Sequence, residues 1–525
     1  HEQRTAEWLR SARPGLSITL ASEVCPEIRE FERLSTACAN AYVRPLMASY
    51  LNRLAGELEQ LGFNCPFLLM TSGGGLTTLD TASRFPIRLV ESGPAGGAIL
   101  AQDVARYAGL ERVLSFDMGG TTAKLCLIDD FEPLTSRSFE VDRVYRFRKG
   151  SGLPVRIPVI EMVEIGAGGG SIAQIDKLGR IQVGPESAGS EPGPAAYGRG
   201  GERPAVTDAD VKLGRVYADT FAGGSFHLDT AASDRALQQE IAGPLGLDSA
   251  MAAFGVSEVV DENMAAAARA HAAEFGLDLG SRDMVAFGGA APLHAARLGE
   301  KLGVRRIIIP GEAGVGSAVG FLLAPVAYEV VRSRRQLLSA LQVDVVNELM
   351  AEMHAESLAV VQMGARGGKL EETRQAYMRY VGQGHEIAVS IPVEEYGDGH
   401  AGVLRAAFEQ DYTRLYGRII EGVDIEVLSW TLTISEVLPE PGHRVRPGNE
   451  LKPANPEPLD PAHPLFDSGL ERMVSSRVFL RDALKTGAKI EGPALVTEDQ
   501  TTTVVPVGWS VRVNRRKQLV LERTS

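Results

Sequence analysis

Asp117-Met118-Gly119-Gly120-Thr121-Thr122 is the segment of this sequence best equipped for chemistry. Two adjacent glycines let backbone N–H groups come close to an anion, the threonine hydroxyls can donate to phosphate oxygens, and the Asp117 carboxylate can hold a metal-bound water. The same residues would also make an ordinary tight hairpin with a solvated aspartate. A second glycine pair, Gly288-Gly289, stands where the apolar run ending at Phe287 gives way to a helical pattern, so a base or ribose could lie on bare backbone beside a helix N-terminus. Close strand–helix packing explains that pair equally well. A third run, Gly166-Ala167-Gly168-Gly169-Gly170-Ser171, reads as an anion nest, as a mobile lid or as a flexible loop.

Other reactive side chains are sparse. His294 follows the second glycine pair and could be a ligand or an acid/base group, but a single histidine in the first turn of a helix is more often structural. His271 lies on an alanine-rich helix, and Cys126 sits between two leucines in a strand, which favours packing. The four cysteines have no C-x-x-C spacing, so neither a disulfide scaffold nor a zinc ribbon is expected. A His-x-x-x-His pair, a Gly-x-Ser-x-Gly elbow and a Walker Gly-Lys-Ser/Thr are all missing, which argues against zinc proteases, α/β-hydrolases and P-loop NTPases. A formal net charge of -13 argues against nucleic acid or an anionic membrane as partner, since both demand a positive field. No apolar run approaches the ~18 residues of a membrane span, and the first residues are charged, so the expected location is the cytoplasm.

The elements that must carry these turns follow from length and pattern. At 525 residues the chain exceeds one ordinary core, and 57 glycines with 6% aromatics suit an α/β enzyme rich in backbone turns. ITLASEV reads as strand-like, 27–61 as a long helix and FLLMTS as a strand. VLSFDMGG followed by TTAKLCLI reads as a hairpin. Residues 129–215 are loop-dominated, 256–275 make a strong helix, and two strand–glycine turn–helix units bring the α/β part to a close near 335. From about 337 helices alternate with strands, and a proline-rich connector over 439–464 leads to a β-rich tail. The expected division is 1–110, 111–335 and 336–525.

Taken in order, SGPAGGA, DMGGTTAK, EIGAGGGSIAQID, VGPESAG, TDAD, FGGAAPLHA and GPALVTEDQTTTVVPVGW resemble the hydantoinase A/oxoprolinase family, whose members open cyclic amides or carboxylate ketones with ATP. The resemblance implies an actin-like ATPase (ribonuclease H-like) fold, with 1–110 the remainder of an incomplete first domain, 111–335 the second, and 336–525 an α+β, strand-rich C-terminal domain. It implies ATP and Mg²⁺ as cofactors, with Asp117 and Thr121 catalytic, Asp117 also on the metal, and Gly119, Gly120, Thr122, Gly168, Gly169, Gly288 and Gly289 around the nucleotide. It also implies a hetero-oligomer with a hydantoinase B-like second subunit, acting on a small cyclic amide such as a hydantoin or 5-oxoproline; the counterpart subunit of an acetone- or acetophenone-type carboxylase and a non-catalytic fragment are the alternatives. Two departures stand out. Family members usually begin with another Asp-x-Gly-Gly-Thr hairpin, so the sequence is expected to be a truncated chain that does not turn over ATP alone. Lys124 stands where many members have Asp, leaving it to contact phosphate or point to solvent.

Overall fold

A computed structural model describes residues 1–144, 150–437 and 455–524. The chain forms two compact units, each assembled from three separate stretches. One comprises His1–Ala95, Thr135–Ile160 and Ala324–Glu440; the other comprises Gly96–Leu134, Glu161–Leu323 and Pro441–Ser525.

The second unit is organised by a nine-stranded mixed sheet. Its middle is three parallel strands, Arg112–Met118, Asp283–Phe287 and Arg306–Ile309. These are near-continuous apolar runs, as expected of strands covered on both faces; Val113, Leu114, Phe116 and Met118 are all buried, as are Ile307 to Ile309. Ala123–Asp129 returns antiparallel beside Arg112–Met118, giving the expected hairpin, and Met162–Ile165 adds to its outer edge. On the other side Leu519–Arg523 pairs antiparallel with Arg306–Ile309, followed by Trp509–Val513 and Lys489–Glu491. A four-stranded sheet of Asp460–Asp467, Arg472–Leu480, Ala494–Glu498 and Thr501–Val505 completes this unit, with the helices Val206–Lys212, Ser249–Glu274 and Ala291–Leu302.

The first unit holds the long helix Glu30–Gln60, the short hairpin Leu68–Met70/Leu76–Thr78, and a four-stranded antiparallel sheet ordered Ala327–Leu337, Ile425–Glu436, Leu370–Tyr380, Ile387–Ile391. Helices Val343–Gly364 and His400–Tyr416 pack on this sheet.

Three expectations change. Residues 336–525 do not form one body, because Lys489–Glu491, Trp509–Val513 and Leu519–Arg523 hydrogen-bond into the sheet begun at Arg112, while 337–437 contribute to the sheet of the first unit. Residues 16–20 carry no strand and lead into the four-residue helix Ala21–Val24, since no neighbouring strand pairs with them. The stretch 129–215 is less loop-dominated than its glycine content suggests, containing the strands Ser171–Ile175 and Ile181–Ser187. Of the proline-rich connector, 439–454 lies outside the described residues, and its last residues enter the strand Asp460–Asp467.

Candidate functional site

Strand Arg112–Met118 ends in the turn the sequence singles out. Gly119 N–H donates to the Thr122 carbonyl at 3.1 Å, closing it. The amides of Gly120 and Thr121 have no protein acceptor among the described residues, and a Cβ added at Gly119 or Gly120 would meet nothing within 4 Å. Bare backbone with unspent donors thus faces open space.

The glycine-rich run holds this turn from behind. Gly168 N–H donates to Ser171 Oγ at 2.9 Å, Gly169 N–H to the Gly119 carbonyl at 3.0 Å and Gly170 N–H to the Gly120 carbonyl at 2.6 Å. A Cβ on Gly168 would lie 2.6 Å from the Thr121 nitrogen. The anion-nest and lid readings of 166–171 are therefore corrected: the Gly169 and Gly170 amides are spent on the hairpin and that of Gly168 on Ser171, and the glycines allow a backbone-to-backbone approach. Thr207 secures the strap, its N–H and hydroxyl both donating to the Gly169 carbonyl at 2.7 and 2.8 Å.

The second glycine pair divides between the two explanations offered for it. Gly288 has φ +100°, and a Cβ there would stand 2.4 Å from the Met118 carbonyl oxygen, so this residue is glycine for packing. Gly289 has only the Gln500 carbonyl at 3.7 Å from such a Cβ, and its amide has no protein acceptor among the described residues. Its carbonyl accepts from the Thr501 hydroxyl at 2.9 Å.

Between these turns lies a cavity of about 180 Å³. Gly119, Gly120, Gly169 and Gly289 line it; Asp117, Thr121, Thr122, Gly168 and Gly288 do not. Tyr197, Val216, Phe221 and Leu293 give it apolar walls, and the hairpin turn Thr497–Thr502 closes one side. That last wall was missed in the sequence, although TEDQTT is a polar turn set between the apolar runs PALV and VVPV and so carried a signal.

Asp117 sits just behind the turn. Ser317 donates to its Oδ2 at 3.1 Å, and burial raises its carboxyl above the ordinary range against the Ser317 bond and the charge of Lys124. Lys124 itself lies along the hairpin, 3.2 Å from Glu164 and donating to Thr122 Oγ1 at 3.1 Å.

Beneath the cavity His294 is fully buried and bonded at both ring nitrogens, Nδ1 to Asp261 at 2.8 Å and Nε2 to Asp210 at 3.2 Å. Arg215 pairs with Asp210 at 3.1 Å and donates to Ser257 at 2.6 Å. Burial lowers the affinity of His294 for its proton, but the two carboxylates outweigh that and set its pKa at about 9. Imidazolium, guanidinium and two carboxylates sum to zero charge, which makes the structural reading of His294 the right one. Asp208, from the same TDAD segment, accepts from the amides of Ala195, Ala196 and Ala205 and from Ser233, fixing the loop that carries Tyr197. His271 is also buried, on the helix Ser249–Glu274, and burial raises the Cys126 thiol to about 12, so neither is poised for chemistry. Among the described residues no group of three or more His, Cys, Asp or Glu could hold a metal ion, and no helix is long and apolar enough to cross a membrane.

Comparison with known proteins places this geometry in a family. The hydantoinase/oxoprolinase family model matches residues 33–330, and the model of its C-terminal domain matches 333–524. An uncharacterized protein of Methanocaldococcus jannaschii is 34% identical over 100% of this chain and 75% of its own length. Caprolactamase subunit alpha of Pseudomonas jessenii is 31% identical over 98% of this chain and 73% of its own. The crystal structure of the ATP-dependent caprolactamase from Pseudomonas jessenii superposes with a TM-score of 0.82 at 29% identity, covering 100% of this chain and 75% of that one. On both its family-model matches and its identity to such relatives, the chain belongs to the hydantoinase/oxoprolinase family.

Proposed function

We propose that this chain is the ATP-using subunit of an enzyme that opens a cyclic amide, working on an actin-like ATPase frame. The observation that carries the reading is the set of three amides without protein acceptors, Gly120, Thr121 and Gly289, on the two glycine turns that flank a cavity with aromatic walls. Such donors suit the oxygens of a phosphate chain, and apolar walls suit a purine. The name of the superposing caprolactamase, an ATP-dependent enzyme, supports the same ligand.

Bound ATP would supply a phosphoryl group that converts the unreactive carbonyl oxygen of a ring amide into a leaving group. The contribution of this chain is positioning and charge stabilisation. Gly119 and Gly120 admit the phosphates by having no side chain, the amides of Gly120 and Thr121 donate to them, and the Thr121 and Thr122 hydroxyls add further donors. Gly289 and the rings of Tyr197 and Phe221 would hold the adenosine, while Gly168, Gly169 and Gly288 keep the two turns in register. Mg²⁺ arriving with a nucleotide needs few protein ligands, because phosphate oxygens and water fill most of its shell. Asp117 is the carboxylate available at the turn to hold it through water. A hydantoinase B-like second subunit would complete hydrolysis, as the word subunit in the name of the caprolactamase relative suggests.

The deciding experiment assays the complete protein with its partner subunit for ATP hydrolysis dependent on hydantoins, 5-oxoproline and caprolactam, with acetone plus bicarbonate as a parallel arm. Ring opening coupled to ATP consumption supports the reading. Turnover with the ketone alone assigns the chain to carboxylation instead, and no nucleotide hydrolysis in any arm removes the reading.

A further inference from the structure

The first unit contains a second cavity, of about 160 Å³, that the nucleotide reading does not use. Its floor is the sheet face carrying Glu329 and Tyr377, and its rim includes the hydroxyl residues Thr135 and Ser136. Two arginines line it, Arg88 and Arg137.

Both guanidinium groups are incompletely used. Arg137, only 8% exposed, pairs through its terminal nitrogens with Glu27 at 2.7 Å and with Glu329, yet its Nε is buried without a hydrogen-bond partner. The Nε of Arg88 is likewise buried and unpartnered. Arg88 has no carboxylate within ion-pair distance among the described residues. It is held instead by the rings of Tyr328 and Phe85, 4.9 and 5.7 Å from the guanidinium carbon, with one long bond of 3.4 Å to the Glu329 carbonyl. The two Nε atoms are enclosed by protein, but Arg88 makes its one hydrogen bond through Nη1, so among the described residues its Nη2 keeps its donors for a ligand in the cavity.

We propose that this cavity is a binding site for a small monocarboxylate, whose carboxylate oxygens accept from the guanidinium group of Arg88. The valence follows from Arg88, which lines the cavity without a carboxylate partner among the described residues: its single positive charge is neutralised by one carboxylate and exceeded by a phosphate dianion. The geometry selects the shape, since a planar acid matches the planar guanidinium edge. The Thr135 hydroxyl on the lining supplies a further donor. The site is independent of the nucleotide cavity, every residue of it belonging to the first unit.

The test is calorimetric titration of the full chain with acetate, propionate and cyclopentanecarboxylate, each against its carboxamide, and with inorganic phosphate. At least one acid is expected to bind about tenfold or more tightly than its amide, the difference a charge-assisted hydrogen bond makes. Arg88→Gln is expected to lose that preference with its melting temperature retained, and Arg88→Lys to recover part of it. Equal affinity for acid and amide overturns the proposal, as does phosphate binding more tightly than every carboxylate, saturable binding of none of them, or an unchanged preference in a folded Arg88→Gln. If Arg88→Gln fails to fold, the acid-to-amide ratio on the unaltered chain decides together with Arg88→Lys.

Discussion

Each unit buries a cluster of charges, and the two clusters are finished differently. Around His294 the charged groups close on one another: both ring nitrogens meet carboxylates, and the terminal nitrogens of Arg215 are taken up by Asp210, Ser257 and Ser468. Around Arg137 the ion pairs run on through Glu27 and Arg156 to Glu386, yet the Nε atoms of Arg137 and Arg88 stay unpartnered beside a cavity. The first cluster is a closed brace, while the second adjoins a cavity whose lining arginine, Arg88, has no carboxylate partner among the described residues. The cavity above the His294 brace takes its donors from backbone instead, which suits a ligand recognised by its phosphates.

The hardest blow to this contrast would come from removing one member of the brace. Asp210→Ala should leave imidazolium and guanidinium competing for Asp261 and cost about 3–5 kcal/mol in denaturant unfolding. A loss under ~1 kcal/mol would mean the brace is not one.

Titration sharpens the comparison further. The folded pKa of His294, about 9, lies above its ordinary 6.5, so its contribution is whole below pH 6.5 and is lost as the pH rises through about 9. The loss should reach roughly 3 kcal/mol, and His294→Gln should flatten that limb of the stability curve. The Arg137 cluster has no alkaline limb, because arginine stays charged. On the acid side both clusters weaken. Glu27, whose burial is outweighed by Arg137 and Arg156, and Asp210, whose burial is outweighed by His294, have lowered pKa values, so their contributions vanish as the pH falls through them. Melting temperatures across pH 3–10 for wild type and His294→Gln would show whether one cluster alone responds to alkali.

The two neighbouring glycines offer a smaller, cleaner split. Gly288→Ala should cost about 2 kcal/mol or more, since it sets a Cβ against backbone at positive φ. Gly289→Val should change stability little and weaken nucleotide binding in calorimetry. Equal stability losses at both positions would return Gly289 to a packing role. Smallest is Asp117→Asn, expected to lower ATP turnover of the complete enzyme about tenfold with folding intact; wild-type turnover would end its proposed role.

Local pattern reaches some of this architecture and not the rest. The hairpin at 112–129 is legible because two apolar runs break at one glycine pair, and the helix after Gly289 because its apolar positions recur at helical spacing. The brace is invisible in sequence, since His294 meets partners 33 and 84 residues away and no periodicity links them. The Thr497–Thr502 wall escapes for a related reason: a polar turn between strands looks like surface until the fold sets it beside Gly289. The glycine-rich run misleads because composition reports backbone freedom without reporting whether that freedom serves a ligand or, as at Gly168, another stretch of chain.

Leu519–Arg523 lies directly beside Arg306–Ile309 in the central sheet, and this order in space has a consequence in time. During synthesis at about 5–20 residues per second, strand 306–309 waits roughly 10–40 s for its neighbour to leave the ribosome. Through that interval the growing chain carries an unpaired edge with three successive isoleucines, Ile307 to Ile309, open to any other nascent strand that finds it first. Shielding of that edge until 519–523 emerges is therefore a demand that the strand order places on folding during synthesis.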